Sequence, residues 1–174
     1  MKKYIFAAIL ATQLIAEDRA PPDTVSFGMG AYDFYRNHHR TWEFDVEYKF
    51  FPNWIKSPVF EVRPVFGIMM TAQGSGYLWG GLDFDFVIAD YLVIAPGFSA
   101  GYYWQGHGKN LGFPLEFKTG IEVGYQFDDY RRLGVHFYHL SNASLGSRNP
   151  GEESLIIYYE IPVISGFPFF GSRN

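Results

Sequence analysis

The chain of 174 residues contains no cysteine. That excludes a disulfide framework, a thiolate metal site and a thiol nucleophile, and leaves the redox compartment undetermined. Basic residues are also sparse: 14 Lys and Arg stand against 18 Asp and Glu, for a net charge of -4. A nucleic-acid partner is therefore not expected, because neutralising phosphates takes a concentrated cationic surface. The one long apolar stretch is at the N-terminus, where Lys2 and Lys3 precede a mostly apolar segment from Tyr4 to Ala16. This reads as an export signal over residues 1–16, with cleavage alternatively near residue 20, because it is too short to span a bilayer as a helix. Beyond it no run is long enough for a transmembrane helix, and no internal repeat or low-complexity tract appears.

What the chain has is aromatic residues and alternation. Aromatics make up 20% of the sequence, with 18 Phe and 13 Tyr, beside 19 Gly. From Val25 onward, runs of about ten or more residues alternate with period two and are separated by Gly, Pro, Asn and Asp. Eight such runs lie near 23–35, 40–50, 58–71, 76–89, 91–104, 113–127, 130–141 and 153–163. In the second, Trp42, Phe44, Val46, Tyr48 and Phe50 share one face, while Thr41, Glu43, Asp45, Glu47 and Lys49 share the other. The fourth sets Leu82, Phe84 and Phe86 against Asp83 and Asp85, and the sixth sets Phe117, Ile121 and Val123 against Glu116, Lys118 and Glu122.

Two architectures carry such stripes: a soluble barrel or sandwich with an apolar core, or a membrane barrel turned inside out. Side-chain volume separates them. Eight strands enclose too little space for most of the 18 Phe, whereas a lumen holds the smaller ionic set. The expected fold is thus all-β, an eight-stranded antiparallel transmembrane β-barrel over residues 23–165, with a C-terminal tail at 166–174. Carboxylates should pair inside with Lys49, Arg63, Lys118 and Arg132, since buried charges persist when paired. With both termini in the periplasm, the tight links at 89–90 and 128–129 and the longer 51–57 lie on that side, and the long links at 105–112 and 142–152 lie outside.

One segment breaks the greasy face: HLSNASLGSRNPGEES, residues 139–154. His139 and Ser141 share parity with Leu133, Val135 and Phe137, and Glu153 shares it with Leu155 and Ile157. All three should face lipid at the outer ends of adjacent strands, where ionisable groups are costly and call for a functional reason. A serine hydroxyl needs a base, and the base needs an acid to hold its tautomer. Same-face neighbours on a strand lie roughly 6.5–7 Å apart, so His139 and Ser141 can meet, with Glu153 on the next strand. The amide of Asn142, with a backbone N–H just beyond it, could hold an oxyanion. Glu152 has the opposite parity and points inward. His38, His39 and His107 carry no ligand spacing and read as solvated loop residues.

The layout and the pattern His-x-Ser-Asn, with Glu fourteen residues after the His, resemble the outer-membrane lipid A 3-O-deacylase family. The resemblance implies a lipid-facing triad of His139, Ser141 and Glu153, with Asn142 at the family's oxyanion-hole asparagine. It also implies lipid A (lipopolysaccharide) of the outer leaflet as substrate, the bacterial outer membrane as location, and no cofactor. A homodimer is left open. Rim residues Arg36, Arg40, Lys109 and Arg148 are candidates for meeting lipid A phosphates. The competing readings are a non-enzymatic barrel serving adhesion or envelope integrity, and a secreted soluble ligand-binding barrel.

Overall fold

The computed structural model describes residues 21–163, apart from 37, 53, 56 and 58. The expected export signal and C-terminal tail lie outside the described residues. Eight strands follow one another as a meander: β1 (Thr24–Tyr32), β2 (Thr41–Lys49), β3 (Phe60–Thr71), β4 (Gly76–Ile88), β5 (Leu92–Trp104), β6 (Leu115–Gln126), β7 (Arg132–Ser141) and β8 (Glu152–Pro162). Each pairs antiparallel with the next, and β8 closes on β1 from Thr24↔Pro162 to Ala31↔Leu155. Closure leaves no unpaired sheet edge, which a bilayer would not tolerate. The start of β1 and the end of β8 lie at one rim; the 105–114 and 142–151 links lie at the other, here called the loop rim.

The pleat sorts the side chains as the alternation predicts. Phe44, Phe66, Leu78, Phe86, Phe98, Tyr125, Val135 and Ile157 are exposed on the outer wall, while Glu43, Asp45, Glu47, Lys49, Arg63, Asp83, Asp85, Lys118 and Arg132 are buried inside. A wall this apolar has its favourable solvent in hydrocarbon, and the strands of 9 to 13 residues match the length that crosses a bilayer when tilted.

Inside, the four expected cations are paired. Lys49 lies 2.6 Å from Glu122 and 3.0 Å from Asp83, Arg63 lies 3.3 Å from Glu160, Lys118 lies 3.4 Å from Glu47, and Arg132 bonds Asp85. Carboxylate oxygens of Glu47, Asp83 and Glu122 come within 4.8 Å of one another. The Lys49 ammonium already sits among them, so this cluster is an ion-pair core.

The lumen is not ionic throughout. Toward the loop rim it fills with Tyr32, Met69, Tyr77, Trp79, Tyr103, Tyr138, Leu140 and Ile156, and the 105–112 link folds inward to add Leu111. Lys109 enters with it, buried and 2.5 Å from Asp33, so its charge is spent inside and is not presented to phosphates at the rim. Tyr103 fixes the plug by donating its hydroxyl to the Lys109 carbonyl at 2.7 Å.

Two of the links at the terminal rim are short turns. Ala89 and Asp90 both adopt positive φ (53° and 67°), with Tyr91 N–H on the Ile88 carbonyl, the type I′ geometry that matches strand twist. At 127–131 a single left-handed residue, Tyr130 (φ 65°), completes a slightly longer turn.

Candidate active site

The site is built by the register of β7 and β8. His139 pairs directly with Glu153 across the two strands, with Leu140↔Glu152 beside it pointing the other way. Directly opposed residues bring their Cβ atoms within about 4.5–5.5 Å, so the two outward side chains meet without strain. The Nδ1 of His139 lies 3.1 Å from Oε1 of Glu153. With Nδ1–H donating to a carboxylate, Nε2 keeps its lone pair and can accept a proton. The imidazole is 39% exposed and the carboxylate 18%, so the pair is reachable from the outer wall yet shielded on its protein side.

Ser141 follows on the same face at the last position of β7 and is half-buried. Its hydroxyl has no hydrogen-bond partner among the described residues, so the imidazole is tied to its acid but not to the serine. Such bonds commonly tighten only when substrate is bound.

Glu152 is inside the barrel. Its Oε2 accepts from the Asp33 backbone N–H and the Ser154 hydroxyl, both at 3.2 Å. Adjacent glutamates thus have opposite fates, one anchoring the lumen and one meeting the imidazole.

Asn142 is also inside and wholly buried. Its Nδ2 donates to the carbonyls of Leu111 at 2.8 Å and Arg148 at 3.0 Å, and its backbone N–H reaches Oδ1 of Asn149 at 3.1 Å. Both amide hydrogens are committed, so the side chain stitches the 142–151 loop to the plug and is not turned toward Ser141. The residues just beyond it are more telling. Ala143 and Ser144 both have positive φ (50° and 65°), and Leu145 N–H bonds the Asn142 carbonyl at 2.9 Å. This is a second type I′ turn, made without the glycine or asparagine it favours, at about 1–2 kcal/mol per residue. Among the described residues the N–H groups of Ala143 and Ser144 have no acceptor. Strained backbone of this kind is common at functional sites.

Two neighbours were not legible in sequence. Gly151 (φ 59°) lies so close to the imidazole that an added Cβ would fall 2.6 Å from its Cε1. Phe34, after β1, donates its N–H to the Glu153 carbonyl at 2.9 Å. Phe34 and Tyr35 also pack edge-on against Phe137, at 5.9 and 6.3 Å between ring centres. The sequence signal for Gly151 was Asn-Pro-Gly, which marks a turn but not what the turn touches.

The rim arginines are engaged with backbone. Arg36 Nη1 donates to the carbonyls of Pro150 and Gly151, Arg40 to that of Phe34, and Arg148 to that of Asn110.

The sequence model of the family described as lipid A 3-O-deacylase (PagL) matches residues 37–162, a span that includes His139, Ser141 and Glu153. The chain belongs to this family. Its match to the lipid A deacylase PagL of Pseudomonas aeruginosa is 40% identical over 55 residues and spans 32% of each chain. Among solved structures, the crystal structure of the outer membrane enzyme PagL superposes with a TM-score of 0.68 at 23% identity, covering 80% of this chain and 99% of that one. At that identity the likeness establishes the fold, an eight-stranded barrel shared with an outer-membrane enzyme.

Proposed function

We propose that this family member is an outer-membrane esterase that removes the 3-O-linked acyl chain of lipid A, using Ser141, His139 and Glu153 on its lipid-facing wall. The observation that carries the reading is the His139–Glu153 pair, 3.1 Å apart, on an otherwise hydrocarbon-facing surface near the loop rim. A lipid in the outer leaflet reaches such a site laterally, and the barrel interior plays no part in access. All three groups belong to one chain, so a monomer suffices.

In this mechanism Ser141 Oγ attacks the ester carbonyl carbon as His139 Nε2 takes its proton, and Glu153 holds the imidazole's tautomer and stabilises the imidazolium. The oxyanion is received by the free N–H groups of Ala143 and Ser144, in the turn held by Asn142. Preorganised backbone donors of this kind lower the barrier because they need no reorientation as charge develops. The imidazolium then protonates the departing sugar oxygen. Water, deprotonated by the same imidazole, hydrolyses the acyl-serine to release a fatty acid and restore the hydroxyl.

The test is mass spectrometry of lipid A from outer membranes with and without the protein. The expected result is a mass loss of one ester-linked acyl group, absent in Ser141→Ala and His139→Ala variants that still assemble as barrels. Deacylation retained by either variant would remove the assignment. Unchanged lipid A with the wild-type chain would favour a non-enzymatic barrel, and recovery in the soluble fraction without detergent would favour a secreted one.

A further inference from the structure

We propose that Arg36 is a positioning residue for the acid–base pair, acting through the backbone of Gly151. This rests on the reading of His139 as the base. The link between β1 and β2 crosses to the start of β8 and is tethered there three times. Asp33 N–H reaches Glu152 Oε2 at 3.2 Å, Phe34 N–H reaches the Glu153 carbonyl at 2.9 Å, and Arg36 Nη1 reaches the carbonyls of Pro150 at 2.9 Å and Gly151 at 3.2 Å. The first two tethers fix the strand that carries Glu153. The third fixes the residue that backs the imidazole, because a Cβ on Gly151 would stand 2.6 Å from His139 Cε1 and 3.2 Å from Nε2.

The ring is therefore held from two sides, by Glu153 on Nδ1 and by the Gly151 backbone against the edge carrying Cε1 and Nε2. Gly151 has a left-handed φ of 59° and is buried where the exposed loop that ends at Pro150 meets the first residue of β8, so the Arg36 bonds fix the one backbone step between that loop and the ladder. A guanidinium is suited to this work. It stays charged, and its planar donors span two successive carbonyls with charge-assisted bonds. Without it the 150–151 backbone can retreat and the imidazole gains room to leave Glu153. Arg36 thereby acts through backbone; its side chain is exposed and Nη1 alone makes these bonds, so a phosphate contact is the rival role to be separated.

The two roles separate kinetically. With purified protein in detergent micelles, turnover is measured on bis-phosphorylated lipid A and on lipid A stripped of its phosphates. Positioning predicts that Arg36→Ala lowers kcat about ten- to a hundredfold, the range expected of small misplacements of a catalytic group. KM should stay within about threefold of the wild-type value, and the loss should be equal on the two substrates. Arg36→Lys, which keeps one donor to a carbonyl, should recover part of kcat. In a Glu153→Gln background, Arg36→Ala should cost less than about threefold, because residues acting through one group are not additive. Heat-modifiable gel migration verifies that each variant is a folded barrel.

A rise in KM confined to phosphorylated lipid A would overturn the proposal in favour of a phosphate contact. Unchanged kcat in Arg36→Ala, or a full additional loss in the Glu153→Gln background, would overturn it as well. Absence of turnover by the wild-type chain would overturn the proposed function and this inference together. Wild-type turnover that persists undiminished in Arg36→Ala would sink this inference alone.

Discussion

His139 is an imidazole set in a wall that otherwise faces hydrocarbon, and its contact with Glu153 distinguishes it from a stray polar residue at the rim. Glu153→Gln keeps the size of the side chain but removes the charge that holds the tautomer. Turnover should fall on the order of a hundredfold or more, with the barrel's urea midpoint unchanged; turnover within threefold of wild type would show that the pair is ornamental. Gly151→Ala tests the other side of the ring. Its Cβ would meet the imidazole at 2.6 Å in a backbone conformation that disfavours side chains, so lipid A deacylation should drop at least tenfold with folding intact. Parity alone predicted that Glu153 faces outward and Glu152 inward, since a period of two admits no other assignment once one face is known. Parity also sends Asn142 inward, and its amide is spent on two carbonyls in a loop whose path no local pattern announces.

At the scale of elements, strands were legible and loops were not. Each observed strand lies within, or one residue outside, an alternating run, and the runs overshoot because alternation continues into turns that have left the ladder. Thr41–Lys49 shows why the reading was secure: five polar and four apolar side chains alternate without exception. The inward path of 105–112 depends instead on Leu111 finding an aromatic cluster supplied by six different strands, a contact with no local signature. The strained turn after Ser141 was equally hidden, because Ala-Ser does not advertise left-handed backbone. Its cost gives a prediction. Ser144→Gly should raise the unfolding free energy by about 1 kcal/mol and leave turnover within twofold, since it preserves the N–H; a large loss of activity would mean that the serine side chain itself is used. On the outer wall, depth should set the penalty for charge. Val135→Arg, toward mid-strand, should destabilise the barrel in vesicles by about 2–4 kcal/mol, whereas Leu115→Arg at the rim should cost about 1 or less. Equal penalties would contradict the membrane-facing assignment.

For the whole molecule, two interiors divide the work. An ion-paired layer around Lys49, Arg63 and Arg132 fills the half nearer the termini, and an aromatic layer sealed by the plug fills the half behind the site. Lys49 touches Glu122, Asp83, Glu47 and Glu160 within 3.7 Å. Lys49→Met should therefore destabilise the barrel by about 3–5 kcal/mol, because removing one partner leaves buried charges unmatched; equilibrium unfolding measures it, and a neutral result would mean that the carboxylates are already protonated or hydrated. The sequence made both the closed barrel and the outward parity of His139 and Glu153 legible because each follows from periodicity and size. The segregation of the lumen was not legible, because it arises from which inward residues end up at the same height after closure.

The account's central claim is that a serine on the outer wall is the nucleophile. The most direct measurement is covalent trapping with a long-chain fluorophosphonate in micelles, followed by peptide mapping. The account predicts one adduct, on Ser141, formed at a rate that collapses in His139→Ala and falls in Glu153→Gln. An adduct on any other residue, or full deacylation by protein in which Ser141 is never labelled, would contradict it.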